Sequence, residues 1–100
     1  MNKSKPPYRP IRFKEYLEKQ LKDPVIRKHY DEYGKQLEIA YQILQLRKRE
    51  GLSQIEMARK IKTKQANIAR LETGQQNFTV ETLQKIAKAL KRDLKIEFVK

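Results

Sequence analysis

The sequence contains no cysteine and no tryptophan, and only three glycines and one histidine among its 100 residues. Without cysteine, disulfide bonds and thiolate metal sites are impossible. So few glycines and a single histidine leave no phosphate-cradling loop, no nucleophile–base pair and no set of metal ligands. We therefore expect no enzymatic activity, no cofactor and no bound metal.

Long apolar runs are also missing. No stretch of about 18 apolar residues exists, so no segment is predicted to cross a membrane. The basic start, "MNKSKPPYRPIRF", is not followed by the apolar segment of a secretory signal. A cytoplasmic location is the expectation that fits these absences.

Acidic residues are scarce relative to basic ones. The chain has 24 lysines and arginines against 12 aspartates and glutamates, which gives a formal charge of +12. This excess favours a polyanionic partner, either nucleic acid or an acidic membrane surface. A length of 100 residues suits one domain with an added arm.

The first third of the chain, residues 1–35, is predicted to be a basic arm followed by a helical extension. Three of the four prolines lie in the first ten residues, and proline resists helix formation. From Phe13 the apolar residues repeat at helical spacing, and Asp23 before a proline is typical of a second helix start. Gly34 is the expected break before the next helix.

Residues 36–92 are predicted to form a compact helical unit. Its first helix is expected over residues 36–50, with a broad apolar face and basic residues at its end. Ser53 and Glu56 then have the S-x-x-E spacing of a capping box, which predicts the start of a short helix.

A second short helix is predicted from Lys64 to Gly74, with Ile68 and Leu71 directed inward. A last helix is expected to begin after Thr79, a favourable N-cap residue. Two short helices joined by a tight turn, the second with a polar outer face, have the geometry of a DNA-binding helix-turn-helix. The sequence therefore predicts a unit that reads double-stranded DNA.

The last residues, 93–100, have a different period. Leu94, Ile96 and Phe98 alternate with charged residues in "LKIEFVK", which predicts a β-strand. Because the chain offers no second strand, these three residues are predicted to dimerise the protein by pairing with a second copy. The alternative is a frayed extension packed on the last helix.

The segment "LRKREGLSQIEMARKIKTKQANIARLETGQQNFTVETLQKIAKAL", residues 46–90, closely resembles the Xre family of phage Cro- and repressor-like helix-turn-helix proteins. The resemblance rests on "LSQ-x-E-x-A", "Q-x-x-I-x-R-L-E-x-G" and "T-x-x-T-L-x-K-I-A-x-A-L". It implies a mainly α fold, a five-helix helix-turn-helix domain, here with an N-terminal helical extension and a short C-terminal β-strand.

Residue by residue, the resemblance implies a recognition helix that begins near Gln65. It implies a partly buried ion pair between Arg47 and Glu72. Two positions depart from the family, which usually has Gly at Lys62 and Ser or Thr at the N-cap position, Lys64. The residues expected to contact bases or phosphates are Gln54, Lys64, Gln65, Ala66, Asn67, Arg70 and Asn77.

The flanking segments resemble HigA-type antitoxins, whose partner toxins are RelE/HigB-like ribonucleases. That resemblance implies a repressor of its own operon that also neutralises such a toxin. We expect the amphipathic N-terminal segment to contact the toxin through Phe13, Tyr16, Leu17 and Tyr30. The alternative for these aromatic residues is a small helical layer packed on the core.

Three functional classes remain open at this point. The first is a dimeric repressor on a palindromic operator, either an antitoxin or a stand-alone Xre-family or phage-type regulator. The second is a toxin-neutralising module for which DNA binding is secondary. The third, an RNA-binding protein, lacks the aromatic stacking motifs that such modules use.

Overall fold

The computed structural model describes residues 9–74 and 77–100. These residues form a mainly helical fold, as the apolar spacing predicts. Six helices are present in the described ranges: α1 Phe13–Gln20, α2 Pro24–Lys28, α3 Tyr30–Arg49, α4 Gln54–Lys60, α5 Gln65–Thr73 and α6 Val80–Ala89. Four of them, α3 to α6, make up the helix-turn-helix part, so that part holds one helix fewer than the five expected.

The boundary between the N-terminal extension and the helix-turn-helix part differs from the prediction. Asp23 caps α2 as expected, since its carboxylate accepts a hydrogen bond from the Val25 amide at 2.9 Å. However, α2 ends at Lys28, the break falls at His29 (φ −113°, ψ 33°), and α3 runs straight through Gly34. Glycine disfavours a helix by only about 1 kcal/mol, which the packing of a 20-residue helix outweighs.

The turn between α4 and α5 keeps the family's shape without the family's glycine. Lys62 has φ 58°, in the left-handed region, and the Thr63 amide bonds back to the Ala58 carbonyl at 2.9 Å. The predicted capping box opens α4, with Ser53 and Glu56 bonded reciprocally at 3.0 and 2.8 Å. Hydrogen bonds therefore fix both ends of α4: the capping box at its start and the turn into α5 at its end.

Gly74 ends α5, the helix that the resemblance assigns to recognition, in the left-handed conformation, with φ 78°. A Cβ atom at this position would lie 2.7 Å from the Leu37 Cδ2 atom and 3.3 Å from its Cα atom. Both the backbone angle and the close approach of α3 therefore require glycine. After this turn Thr79 caps α6, accepting a hydrogen bond from the Thr82 amide at 3.1 Å.

Two apolar clusters hold the fold together. The helix-turn-helix core lies among α3, α4, α5 and α6 and consists of Ile43, Met57, Ala58, Ile61, Ile68, Leu71, Ile86 and Leu90. The N-terminal layer lies among α1, α2 and α3, and its buried members are Tyr16, Ile26, Leu37 and Ala40. Because α3 contributes to both clusters, it joins the extension to the helix-turn-helix part.

The predicted C-terminal strand is wrong for the single chain. Residues 92–100 have no regular secondary structure, and among the described residues no segment forms a strand. A strand requires a neighbour to accept and donate its backbone hydrogen bonds, and the described chain provides none. The start of this tail is anchored by an ion pair, in which Arg92 Nη1 lies 3.0 Å from Glu50 Oε2.

No helix within the described ranges has both the length and the apolar character needed to cross a lipid bilayer.

Candidate nucleic-acid interface

The outer face of α5 is polar and accessible. Gln65, Ala66 and Arg70 are exposed and Asn67 is partly exposed, whereas Ile68 and Leu71 on the opposite side are buried in the helix-turn-helix core. Residues three and four apart share one side of a helix, so the outward residues form a single accessible surface. Lys64, the N-cap of α5, is also exposed beside it and makes no side-chain capping bond.

The recognition helix is tied to α3 by a buried ion pair. Arg47 Nε donates to Glu72 Oε2 at 2.6 Å and Arg47 Nη2 donates to Glu72 Oε1 at 3.0 Å, with both side chains less than a tenth exposed. A third donor, Arg47 Nη1, bonds the Leu52 carbonyl at 2.8 Å. Such a fork-to-fork pair fixes orientation as well as distance, so it sets the angle between α5 and α3.

A chain of side-chain hydrogen bonds runs from this ion pair to the accessible face. Gln54 Nε2 donates to Glu72 Oε1 at 3.0 Å, and Gln65 Nε2 donates to Gln54 Oε1 at 2.6 Å. Gln65 keeps its carbonyl oxygen and one amide hydrogen free of this bond, since an amide group has two donors and one oxygen. These are the acceptor and donor that paired hydrogen bonding to adenine requires.

Gln54 therefore has a different place from the one the sequence indicates. It was expected only as a phosphate contact at the start of α4, yet its side chain lies between Glu72 and Gln65 and fixes both. The sequence gives no signal for this link, because Gln54 is 11 residues from Gln65 and 18 residues from Glu72 along the chain.

The second half of the accessible face has its own internal bonds. Asn67 Nδ2 donates to Thr63 Oγ1 at 2.7 Å, and Arg70 Nη2 donates to Asn67 Oδ1. Thr63, in the turn before α5, thus holds a side chain of that helix. The Arg70 guanidinium has five N–H donors, so one bond to Asn67 leaves the others available.

Asn77 lies beyond the C-terminal end of α5. It is exposed, and its Oδ1 atom accepts a hydrogen bond from Gln36 Nε2 on α3. With Lys62 and Asn67 it lines a cleft of about 330 Å³ between the helix-turn-helix turn and α6. The structure therefore places Asn77 at the edge of the same face as Asn67.

Of the four residues expected to contact a toxin, Tyr16 is not at the surface. It is 3% exposed, and its hydroxyl donates to the Glu72 carbonyl oxygen in the last turn of α5. Burial, assisted by the negative charge of the Glu72 carboxylate, raises the pKa of Tyr16, so the hydroxyl keeps its proton and acts as a donor. Phe13 and Leu17 are partly buried against the N-terminal layer, and only Tyr30 is exposed.

Tyr16 is thus a structural contact to the recognition helix that the sequence analysis missed. The last carbonyls of a helix have no partner within the helix, and a buried one costs free energy unless another group donates to it. The spacing of Phe13, Tyr16 and Leu17 correctly indicates one apolar face, but it does not show what that face covers.

The residues expected to dimerise the chain lie in the tail. Leu94, Ile96 and Phe98 are 38%, 56% and 101% exposed. Within the described ranges no cluster of three or more histidines and acidic residues forms a metal site.

The four-helix arrangement and its polar outward helix define a DNA-binding transcription regulator of the helix-turn-helix class. Residues 43–96 match the family model described as Helix-turn-helix. Because the match covers more than half of the chain, the protein belongs to this family, and its Xre-like character agrees with the resemblance seen in the sequence. Neither a curated protein nor a solved structure matches the chain significantly.

Proposed function

We propose that the chain is a sequence-specific repressor that binds operator DNA as a homodimer and serves as the antitoxin of a toxin–antitoxin pair. The observation that carries the DNA-binding part is the hydrogen-bonded series from Arg47 through Glu72 and Gln54 to Gln65. This series holds a base-reading side chain in place before DNA arrives, so less side-chain entropy is lost on binding.

The accessible face offers the chemistry that the major groove requires. Arg70 suits the O6 and N7 acceptors of guanine, while Gln65 and Asn67 suit adenine. Ala66 presents a methyl group of the kind that contacts thymine. Lys64 lies at the edge of the face and serves as a phosphate ligand, which contributes affinity without sequence preference.

The DNA-binding part is tested with duplexes enriched from a random pool by the wild-type chain. Replacing Arg70 or Gln65 by Ala should cost about 1–3 kcal/mol of specific affinity and relax the preference at one base position. Lys64→Ala is the matched control, because it should weaken binding to enriched and scrambled duplexes alike. If the Arg70 and Gln65 variants discriminate as well as the wild type, α5 is not the reading helix.

The proposed homodimer uses the C-terminal tail. Ile96 is 56% exposed and lines a cleft of about 570 Å³ together with α3 and α6, while Phe98, further along the tail, is fully exposed. A second copy placed against the tail would cover these side chains and supply the strand partner that one chain lacks. Two copies also give two recognition helices, which suits half-sites about one helical turn apart.

The dimer is tested by sedimentation of two neighbouring variants. Ile96→Ser removes an apolar side chain from the tail, and Lys95→Ser changes the adjacent charged one as a control. We expect the first variant to shift toward monomer and to lose cooperative operator binding, and the second to sediment as the wild type. A dimer that persists in Ile96→Ser places the interface elsewhere.

The antitoxin role rests on the flanking segments and on apolar residues away from α5. Val25 on α2 and Tyr30 at the start of α3 are 55% and 40% exposed. Together with the resemblance of the N-terminal third to HigA-type antitoxins, they support a toxin contact on α2 and the first turn of α3.

Point substitutions test this contact better than deleting residues 1–34, because that deletion would cut α3 and remove Tyr16 from Glu72. We expect Val25→Asp with Tyr30→Ala to abolish co-purification with a RelE/HigB-like ribonuclease encoded beside this protein's gene, while operator binding persists. Lys28→Ala, an exposed change on the same short helix, is the control. The absence of any such neighbouring gene would favour the stand-alone regulator.

A further inference from the structure

A third cleft lies between the N-terminal extension and α5. It has a volume of about 420 Å³. Lys19 on α1 and Lys48 on α3 line it, together with Gln54 and with Ala69 and Thr73 of α5. We propose that this cleft binds a backbone phosphate of the DNA duplex, with Lys19 and Lys48 as its cationic ligands. The proposal rests on the proposed function and extends its contact surface onto α1.

The charge of the cleft favours an anion. Both lysines are exposed, and neither makes a salt bridge within residues 9–74 and 77–100. Arg47, which also lines the cleft, is already neutralised by Glu72. The only other acidic side chain on the wall is Glu15, so two unpaired cations face one carboxylate.

The cleft is continuous with the face that reads bases. Gln65, Ala69 and Thr73 occupy positions i, i+4 and i+8 of α5, which places them along one side of the helix. Ala69 and Thr73 are small, so the duplex backbone can come close to α5 along this side. Gln54 belongs to both surfaces, since it lines the cleft and accepts the hydrogen bond from Gln65 at 2.6 Å.

Because the cleft adjoins the face that reads bases, a DNA phosphate is a better occupant for it than an acidic protein segment. An acidic protein segment could also neutralise two lysines, but it would then lie against Gln54 and Gln65 and compete with the duplex for the same side chains. A phosphate of the bound duplex needs no such competition, because the strand that contacts Gln54 passes directly along the cleft.

The expected contribution is independent of base sequence. Each phosphate neutralised by a lysine releases counterions and adds about 0.9 to the negative slope of log affinity against log salt for B-form DNA. Lys19 and Lys48 should therefore change the salt dependence of binding, whereas Arg70 and Gln65 should change the discrimination between sequences.

The experiment measures affinity over a range of salt concentrations with the duplex enriched by the wild-type chain and with a scrambled duplex of equal length. The variants are Lys19→Gln, Lys48→Gln and their combination. Lys14→Gln is the matched control, since it lies on α1 about 140° around the helix from Lys19 and does not line the cleft. Circular dichroism checks that all variants keep the wild-type melting curve.

We expect the double variant to lower the salt slope by about 0.9 on both duplexes, with an unchanged affinity ratio between them, and each single variant to lower it by part of that amount, because the two lysines share one phosphate. The Lys14 control should keep the wild-type slope.

A double variant with the control's slope overturns the phosphate site, while loss of discrimination in Arg70→Ala would leave the proposed function standing. Loss of ribonuclease capture by the double variant, with an unchanged salt slope, would assign the cleft to the protein partner instead. A wild-type chain that enriches no duplex would overturn the proposed function and the cleft assignment together.

Discussion

The two apolar clusters of this chain are built from different kinds of side chain. All eight buried residues of the helix-turn-helix core are aliphatic or methionine. The N-terminal layer buries four residues, one of which is the aromatic Tyr16. The partly buried rings of Phe13 and Tyr41 pack against these four, so the layer contains an aromatic group of three. The first cluster is stabilised mainly by the apolar area it removes from water, which a layer with half as many buried residues cannot match.

The N-terminal layer, which buries less apolar area, also has ring contacts and hydrogen bonds of defined geometry. The rings of Phe13 and Tyr41 meet edge-on with centroids 5.2 Å apart, and those of Tyr16 and Tyr41 lie 5.5 Å apart. The hydroxyl of Tyr41 donates to the Ile11 carbonyl, and that of Tyr16 donates to the Glu72 carbonyl. Tyrosine suits a shallow layer because it buries a ring and still places a donor on a backbone group.

The largest effect should come from breaking the ion pair where the two regions meet. Arg47→Ala or Glu72→Ala alone leaves an unpaired buried charge and should lower the free energy of unfolding by about 3–5 kcal/mol. The double variant should lose less than the sum of the two. A double-mutant cycle by urea denaturation measures this, and additive losses would contradict the coupling.

The exposed pair Glu81 and Lys85 is the control for that cycle. Its atoms are 3.8 Å apart, and both side chains are more than half exposed. We expect a coupling energy of only about 0.3–0.5 kcal/mol, as is usual for such a pair on a helix surface.

The same substitution placed in each cluster compares them directly. Ile68 and Ile26 are both 0% exposed, the first in the helix-turn-helix core and the second in the N-terminal layer. Isoleucine to alanine costs about 2–5 kcal/mol, depending on how far the site collapses. We expect Ile68→Ala near the upper end and Ile26→Ala near the lower end, because the five-residue helix α2 can move inward. Equal losses in chemical denaturation would mean that the two clusters are equally rigid.

Tyr16→Phe tests the directed contact alone. The ring remains, but the Glu72 carbonyl loses its donor, so the expected loss of stability is about 1–3 kcal/mol. The effect should be accompanied by faster amide hydrogen exchange in the last turn of α5. Exchange that is unchanged there would show that the hydroxyl does not hold this end of the recognition helix.

The smallest effect, that of Lys62→Gly, should be an increase in the free energy of unfolding. Lys62 has φ 58°, which costs a residue with a side chain about 1–2 kcal/mol. Lys62→Gly should remove this backbone strain. Because glycine also makes the unfolded chain more flexible, part of the gain is lost, and we expect a net stabilisation of about 0.5–1 kcal/mol. Gln84→Gly, inside α6, is the control and should destabilise by about 1 kcal/mol. A destabilised Lys62→Gly protein would show that the lysine side chain has a stabilising contact of its own.

The local features of the fold could be predicted because a few neighbouring residues determine them. The Ser53–Glu56 capping box, the Asp23 and Thr79 caps and the inward stripe of α5 all depend on short spacings. The Arg47–Glu72 pair was available only through the family resemblance, since its members are 25 residues apart.

The features that sequence reasoning missed depend on contacts between distant segments. Gly34 was expected to break a helix, but the packing of α3 outweighs its weak local preference. For Tyr16 the sequence left open a toxin contact or a layer packed on the core, and only the position of the end of α5 shows that it is buried and what it contacts. The alternation in the tail is typical of a strand, yet no strand forms there in the described chain, because a pattern of residues cannot supply the second strand.

Gly74 also limits how much sequence one copy of the chain can distinguish. It closes α5 after nine residues, against Leu37, so the reading helix is only about 13 Å long. At 3.4 Å per base pair, that length spans about four pairs. Since the major groove distinguishes four kinds of base pair, one copy selects among about 256 sequences. In the proposed dimer two copies would select among about 65,000, so the fixed length of one short helix would make the information content of the proposed operator a property of the pair.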